Sequence, residues 1–126
     1  MSFPTVLFAG GTFPAAKDAL RAVLPEARIE VAEVNGAMDH ALAADVLVPL
    51  MSRIDGAVMD RVQGLRLIHQ WGAGLEGVDI EAATTRGIAV GNVASTATGN
   101  AESVAEWCVM AALILSRRLP DLDRAS

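Results

Sequence analysis

Three glycines that follow an apolar run form the most informative chemical pattern in this sequence. Gly72, Gly74 and Gly77 have the spacing G-x-G-x-x-G and come directly after segment 65–71, which is predicted to be a strand. A glycine-rich turn at a strand end leaves backbone N–H groups open to an anion. In dinucleotide-binding domains that anion is a pyrophosphate.

A dinucleotide site requires more than these glycines. The last glycine should lead into a long helix, and the next strand should end in an acidic residue that binds the ribose hydroxyls. Here the predicted helix Ile80–Arg86 is short, and the strand that ends at Gly91 is followed by Asn92. The pattern therefore argues against pyrophosphate binding. Two interpretations stay open: a nest for a small anion such as a carboxylate, and a turn that needs glycine only for its backbone freedom.

A second polar group precedes the last helix of the sequence. Asn100 occupies the predicted N-cap, where its side chain can cap the helix, bind a substrate oxygen, or do both. Glu102 and Glu106 lie one turn apart, which suits an acid–base pair but is more typical of a solvated face near a helix N-terminus. Asp79 is the predicted N-cap of the helix after the glycine turn.

Other side chains with catalytic potential are few. His69 lies inside a predicted strand and is interpreted as a packed side chain, whereas His40 lies on a short exposed helix. Cys108 falls in an apolar helix, where a thiol usually belongs to the core. Arg53 follows the third strand and is interpreted as a surface arginine. We expect no catalytic residue and no metal site in this chain.

Apolar runs alternate with helical stretches along the chain. The predicted strands are 5–9, 28–34, 45–49, 65–71 and 87–91, and the predicted helices are 14–24, 37–44, 55–62, 80–86 and 101–118. This alternation predicts an α/β fold: a flavodoxin-like five-stranded parallel sheet of order 2-1-3-4-5, with helices on both faces and a long C-terminal interdomain helix. That last helix is apolar all round from Trp107 to Leu115, which predicts burial on every side.

Composition limits the classes of partner. The chain has 126 residues, a net charge of −5 and a single lysine, Lys17, which argues against a nucleic-acid surface. The lone Cys108 fits a reducing compartment. The N-terminus lacks the pattern of a signal peptide, and the longest apolar run is about half of the ~20 residues that span a membrane. We expect a cytoplasmic protein that binds neither nucleic acid nor a membrane.

Four segments together resemble a known family. They are Gly72-Ala-Gly74-Leu-Glu-Gly-Val-Asp79, Ala82-Ala83, Arg86-Gly-Ile-Ala-Val90-x-Asn92 and Asn100-x-x-Ser103-Val-Ala-Glu106. Their order and spacing are similar to those of the N-terminal part of D-isomer-specific 2-hydroxyacid dehydrogenases. Two positions depart from the family pattern, since Trp107 replaces a frequent His or Leu and Glu76 replaces a common Asp.

The resemblance implies roles for particular residues. The backbone amides of Ala73 and Gly74 would bind the carboxylate of a small 2-oxo or 2-hydroxy acid, and Asn100 would contact the same substrate. Ala73 and Val104 would line the cleft beside the nicotinamide of NAD or NADP. Family members that act on hydroxypyruvate, glyoxylate, phosphoglycerate or formate share this turn, so the substrate itself stays open.

The resemblance also implies a domain organisation. Residues 1–100 would be the substrate domain, 101–118 the interdomain or dimer helix, and 119–126 the start of a linker to an NAD(P)-binding domain. In the family, the cofactor fingerprint, the substrate-binding Arg and the Glu–His pair all follow that linker. We therefore expect a substrate-domain fragment that is inactive alone, binds no cofactor tightly and forms a homodimer through 101–115. The alternative is a stand-alone small-anion-binding or dimerisation module with the same fold.

Overall fold

The computed structural model describes residues 3–34, 41–94, 96 and 98–118, which form two compact units, one ending at Val93 and the other beginning at Ala94. The strands are β1 Thr5–Ala9, β2 Arg28–Ala32, β3 Leu42–Ala43, β4 Val46–Val48, β5 Val62–Gln63, β6 Leu67–His69 and β7 Ala89–Gly91. The helices are α1 Pro14–Val23, α2 Gly56–Arg61, α3 Ile80–Thr85 and α4 Asn100–Ser116.

Five of these strands form one parallel sheet in the order β2-β1-β4-β6-β7. Once the short strands β3 and β5 are set apart, this is the predicted order 2-1-3-4-5, and the predicted flavodoxin-like α/β fold is confirmed. Because all five strands run in the same direction, their carboxyl ends lie at one edge of the sheet. The loops after β1, β4, β6 and β7 therefore emerge together at that edge.

The sequence did not predict the small second sheet. Segment 37–44 was expected to be helical, but Leu42–Ala43 forms β3, which pairs in parallel with β5. The N–H of Ala44 continues this pairing by donating to the carbonyl of Gln63 at 3.0 Å. An apolar run this short does not distinguish a helix from a strand by periodicity, and the pairing with β5 decides the outcome. His40 lies outside the described residues.

Side chains of the sheet alternate between two apolar clusters, one on each face. The larger cluster contains Leu7, Ala9, Val34, Ala44, Leu47, Ile54, Val58, Met59, Val62, Ile68, Val78, Ala83 and Ile88. The smaller contains Val6, Phe8, Ala16, Val48 and Leu50. Helices α2 and α3 contribute to the first cluster and α1 to the second, so helices cover both faces of the sheet as predicted.

Asp45 ties together the amino ends of three strands. Its side chain accepts a hydrogen bond from the N–H of Thr5 at 2.9 Å and another from the guanidinium of Arg66 at 3.0 Å. Its carbonyl accepts from the N–H groups of Arg66 and Leu67. The hydrogen bond from Thr5, together with the adjacent Arg66, lowers the pKa of the Asp45 carboxyl below its ordinary value of 3.8. The ionised carboxylate is therefore the form that stabilises this edge.

A bidentate ion pair joins the two short helices on one face. Arg86 donates to both carboxylate oxygens of Asp60, at 2.8 and 2.9 Å, and a third N–H donates to the carbonyl of Ala82. The hydrogen bonds to Asp60 raise the pKa of Arg86 and lower that of Asp60. A Cβ at Gly56 would lie 3.0 Å from the guanidinium, so glycine at this position leaves room for the ion pair.

Helix α4 differs from expectation in two ways. Its N-cap is Gly99, with φ of 64°, and Asn100 is the first helical residue, so the prediction of Asn100 as N-cap is wrong. None of its 17 residues is buried, and Trp107 is 64% exposed, so predicted burial on every side is also wrong. Burial depends on a partner surface, which a sequence pattern does not identify. Within the described chain, no helix has the length and apolar character needed to cross a membrane.

Replacing Asp45 by asparagine should lower the urea midpoint of unfolding at pH 7, because the amide cannot match the charged acceptor. A carboxyl whose pKa is lowered on folding stabilises the fold above its unfolded pKa, and this stabilisation is lost as pH falls through the lower folded value. The difference between Asp45→Asn and the parent should therefore shrink below pH 3.8, the ordinary value. Equilibrium urea titrations from pH 7 to pH 2 measure it.

The matched control is Asp18→Asn, because the pair that Asp18 makes among the described residues is an exposed one with Arg21 at 3.5 Å. Such a pair contributes little to stability. Equal effects of the two substitutions at pH 7 would contradict the role assigned to Asp45.

Candidate functional site

Two hydrogen bonds accepted by backbone carbonyl groups hold the turn that follows β6 in place. The carbonyl of Gly72 accepts a hydrogen bond from the N–H of Val93 at 3.1 Å. The carbonyl of Ala73 accepts one from the side-chain amide of Asn92 at 2.7 Å. Both donors belong to the segment that follows β7, the neighbouring strand in the sheet. Two successive peptide groups of the turn are thus oriented by one adjacent segment.

This anchoring fixes the direction of two N–H groups. In a planar trans peptide, the C=O of one residue and the N–H of the next point in opposite directions. Because the carbonyls of Gly72 and Ala73 point toward the segment after β7, the N–H groups of Ala73 and Gly74 point away from it. Among the described residues, neither N–H donates a hydrogen bond. They are therefore available to an oxygen anion. Binding of a substrate carboxylate by Ala73 and Gly74, which the family resemblance implies, stays a prediction.

The glycines of the turn are not explained by backbone conformation alone. None of Gly72, Gly74 and Gly77 has a positive φ. A Cβ at Gly77 would lie 3.2 Å from the carbonyl of Ser52, so close packing accounts for that glycine, whereas a Cβ at Gly72 would meet nothing within 4 Å. Glycine at position 72 keeps an exposed stretch of backbone uncovered, which is what a ligand that binds backbone N–H groups requires.

The same turn does not fit the pyrophosphate of a dinucleotide. Helix α3 has six residues, and its N-terminus is already capped by the carboxylate of Asp79, which accepts from the N–H of Ala82 at 2.9 Å. This confirms the predicted N-cap and places a negative charge where a phosphate would have to bind. Strand β7 ends at Gly91 and is followed by Asn92, so no acid is present there for the ribose. These features argue against a pyrophosphate at the turn, as the sequence pattern does.

Two side chains that the sequence did not assign connect the loops of this edge. Gln70 donates from its amide to the carbonyl of Leu50 at 3.0 Å and accepts from the N–H of Trp71 at 3.1 Å. Ser52 donates from its hydroxyl to the carbonyl of Ala9 at 2.9 Å. Backbone hydrogen bonds of Ile54 extend the connection to the end of the glycine turn. The loops after β1, β4 and β6 are therefore held in fixed positions relative to one another.

Glu76 lies against the turn itself. Its carboxylate occupies the side of Gly74 where a Cβ would project, so an alanine at position 74 would displace it. Glu76 is exposed, as predicted from the sequence. A carboxylate next to Gly74 opposes the binding of a second negative charge by the nearby N–H groups.

The remaining predicted residues fall into two groups. Asn100 and Val104 belong to α4 in the second compact unit, and both are exposed. Cys108 is exposed on α4, so its predicted burial in a core is wrong.

His69 is half-buried on β6, and a Cβ at Gly91 would lie 3.1 Å from its Nδ1, which supports its interpretation as a packed side chain. The described residues contain no group of His, Cys, Asp and Glu that could bind a metal ion.

Asn92 and Gln70 make hydrogen bonds that hold the turn and its neighbouring loop, and the sequence predicted neither contact. Asn92 was part of the motif that matched the family, but a motif does not reveal which carbonyl an amide side chain reaches. Gln70 carried no signal, since it is a single amide at the end of a strand.

Asn92→Ala should loosen the turn without unfolding the sheet. The substitution removes the donor to the carbonyl of Ala73, and one hydrogen bond of this kind contributes ~0.5–1.5 kcal/mol. The amide hydrogen of Val93, which donates to the carbonyl of Gly72 in the same turn, should then exchange with solvent about two- to tenfold faster. Hydrogen exchange followed by NMR measures this, with Thr85→Ala on exposed α3 as the control. Unchanged exchange at Val93 would show that Asn92 does not orient the turn.

Comparison with known proteins identifies the family of this chain. Residues 16–113 match the family model described as D-isomer specific 2-hydroxyacid dehydrogenase, catalytic domain. The chain is 34% identical to D-3-phosphoglycerate dehydrogenase from Mycobacterium bovis, covering 98% of this chain and 23% of the relative. It is 37% identical to glyoxylate reductase from Thermococcus gammatolerans, and the match covers 80% of this chain and 29% of that relative.

Among solved structures, the NAD complex of formate dehydrogenase from Staphylococcus aureus has a TM-score of 0.70 at 22% identity, covering 95% of this chain and 39% of that one. This likeness supports the fold. The chain spans about a quarter of the length of the two curated relatives. The family match covers more than three quarters of the chain. The chain therefore belongs to the D-isomer specific 2-hydroxyacid dehydrogenase family and corresponds to part of its catalytic domain.

Proposed function

We propose that this chain is the substrate-binding part of a dehydrogenase that interconverts 2-oxo and 2-hydroxy acids, and that its glycine turn binds the substrate carboxylate. One observation carries the proposal: the N–H groups of Ala73 and Gly74 point away from the segment that anchors their carbonyls and make no hydrogen bond within the described chain. Two adjacent N–H donors suit the two oxygens of a carboxylate.

Positioning is the contribution that this chain makes to the reaction. A carboxylate held by two N–H groups leaves C2 of the substrate at a fixed distance from the turn, and such orientation can account for a large part of a rate enhancement. Asn92 and Gln70 act indirectly because they hold the turn and its neighbouring loop. We propose that Asn100 provides a further hydrogen bond to the substrate, as the family resemblance implies.

The cofactor of the proposed reaction is NAD or NADP, whose nicotinamide supplies or accepts the hydride when bound. The described residues do not fit its pyrophosphate, because Asp79 caps α3 and no acid follows β7. We propose that the contribution of this chain is limited to the cleft beside the nicotinamide, at Ala73 and Val104. We therefore expect the 126 residues to bind the cofactor weakly and to be inactive when alone.

Glu76→Gln should strengthen carboxylate binding at the turn. The substitution removes a negative charge adjacent to Gly74 and retains nearly the same size. An exposed like charge a few ångströms away weakens binding by up to ~1 kcal/mol, so the dissociation constant for D-lactate should fall about two- to fivefold. NMR titration that follows the amides of Ala73 and Gly74 measures it. Glu81→Gln, an exposed glutamate of α3, is the control.

Two results of this titration would contradict different claims. If D-lactate shifts neither the Ala73 nor the Gly74 amide signal in the parent chain, the proposed carboxylate site is rejected. Binding that is unchanged in Glu76→Gln would leave the site in place and reject the moderating role of Glu76.

We also propose that the chain forms a homodimer through α4, within the predicted range 101–115 and extending slightly beyond it. A shallow groove runs along this helix, lined by Ala105, Glu106, Val109, Met110, Leu113, Ile114 and Arg117. Antiparallel pairing of two copies about a two-fold axis between positions 111 and 112 would place Met110 against Leu113, and Glu106 against Arg117 of the second copy. Apolar side chains would thus face apolar side chains, and opposite charges would face each other, so the groove is complementary to itself.

Single charge reversals should weaken this dimer and the double reversal should restore it. Glu106→Arg and Arg117→Glu each create two like-charge contacts across the proposed axis, whereas the double variant restores opposite charges. We expect each single variant to raise the dimer dissociation constant about threefold to tenfold. Sedimentation equilibrium over a range of concentrations measures it. A monomer at all concentrations, or a double variant no better than the singles, would contradict the arrangement.

The alternative function is a stand-alone small-anion-binding or dimerisation module with the same fold, and its anion site would be the same turn.

Cytoplasmic location is proposed from the lone Cys108, which is exposed and therefore suits a reducing compartment.

A further inference from the structure

An apolar pocket adjoins the glycine turn at the carboxyl edge of the sheet. It has a volume of about 160 Å³ and is lined by Phe13, Leu50, Met51, Gln70, Trp71 and Gly72. These residues come from the loops after β1, β4 and β6, all within the first compact unit. No charged side chain is among them. Gly72 belongs to both the pocket and the turn, so the two features are continuous.

The exposure of the pocket walls is unusual for their residue types. Met51 is 78% exposed, Phe13 47% and Trp71 46%. Three large apolar side chains around one concave surface mark a place where an apolar group can bind. An apolar protein cavity of roughly 150 Å³ holds a benzene ring, so this pocket has room for a branched alkyl or phenyl group.

The backbone conformation of Leu50 and the hydrogen bonds of Gln70 shape the pocket. Leu50 is buried and has φ of 54°, a left-handed conformation that is uncommon for a leucine and that clusters at functional sites. Its carbonyl accepts the amide of Gln70, whose own oxygen accepts from the N–H of Trp71. Gln70 therefore fixes the spacing between the two principal walls, because its amide nitrogen and its amide oxygen each make a hydrogen bond within the wall.

We propose that this pocket receives the substituent on C3 of the substrate and selects 2-hydroxy acids with a branched aliphatic or aromatic side chain over phosphorylated ones. The inference rests on the proposed carboxylate site, because a carboxylate bound at Ala73 and Gly74 directs the rest of a small acid along the adjoining Gly72. A phosphate in this pocket would lose hydration without meeting a cation on its walls, which is unfavourable. The apolar walls instead favour removal of alkyl carbons from water.

The test uses the fluorescence of Trp71, isolated by a Trp107→Phe substitution at an exposed position of α4. The sequence has two tryptophans, so Trp71 is then the only indole. The probes are D-2-hydroxy-4-methylpentanoate, D-lactate and 3-phospho-D-glycerate, which share the carboxylate and hydroxyl. Each fully buried methylene strengthens binding about fourfold, so three extra carbons that are half buried should give about tenfold tighter binding than D-lactate. Phosphoglycerate should bind no more tightly than D-lactate.

A substitution at Met51 tests the pocket directly. Met51→Lys replaces an apolar side chain with a cationic one of similar length. Because Met51 is highly exposed, the substitution should leave the fold intact. The variant should lose most of the tenfold preference for the branched acid and bind phosphoglycerate more tightly than the parent does. A midpoint of thermal unfolding equal to that of the parent would show that the variant keeps the fold.

The outcomes separate this inference from the proposed function. Binding of all three acids with equal constants, or tightest binding of phosphoglycerate by the parent, would retain the carboxylate site and overturn the selectivity. Absence of binding by every acid, D-lactate included, would overturn both.

Discussion

The candidate site depends on two hydrogen bonds that hold carbonyl groups. The N–H of Val93 binds the carbonyl of Gly72, and the amide of Asn92 binds the carbonyl of Ala73. Because peptide groups are planar, these contacts orient the N–H groups of the next two residues. A turn oriented through its carbonyls presents donors that need no rearrangement when an anion arrives. This preorganisation is what distinguishes a binding turn from a turn that only reverses the chain.

The rest of the first unit supports that arrangement. The pairing of β6 with β7 brings residues 92 and 93 beside the turn, and the parallel sheet collects four loops at one edge. Gln70 and Ser52 then join the loop after β4 to its neighbours by side-chain hydrogen bonds. The apolar pocket is a consequence of this bracing, since its walls come from the loops that are joined. Substrate positioning and substrate selection would thus rely on the same few contacts.

Sequence periodicity was sufficient for the fold but only partly for the site. Short apolar runs that alternate with helices predicted the sheet order, and the short α3 with Asp79 as its cap was also predicted. Local patterns failed where tertiary contacts decide: Leu42–Ala43 became a strand because β5 pairs with it. Helix α4 begins at Asn100, one residue earlier than predicted, so Gly99 and not Asn100 is its N-cap. The partners of Asn92 and Gln70 are distant in sequence, so no local pattern reveals them.

The central claim is that the glycine turn binds a carboxylate and not a dinucleotide. The most direct measurement is a pair of NMR titrations of the ¹⁵N-labelled chain, one with oxamate and one with ADP-ribose, which contains the pyrophosphate without the nicotinamide. The account predicts that oxamate shifts the amide signals of Ala73 and Gly74 in a saturable manner and that ADP-ribose leaves both unchanged. Saturable shifts of these two amides with ADP-ribose, and none with oxamate, would contradict it.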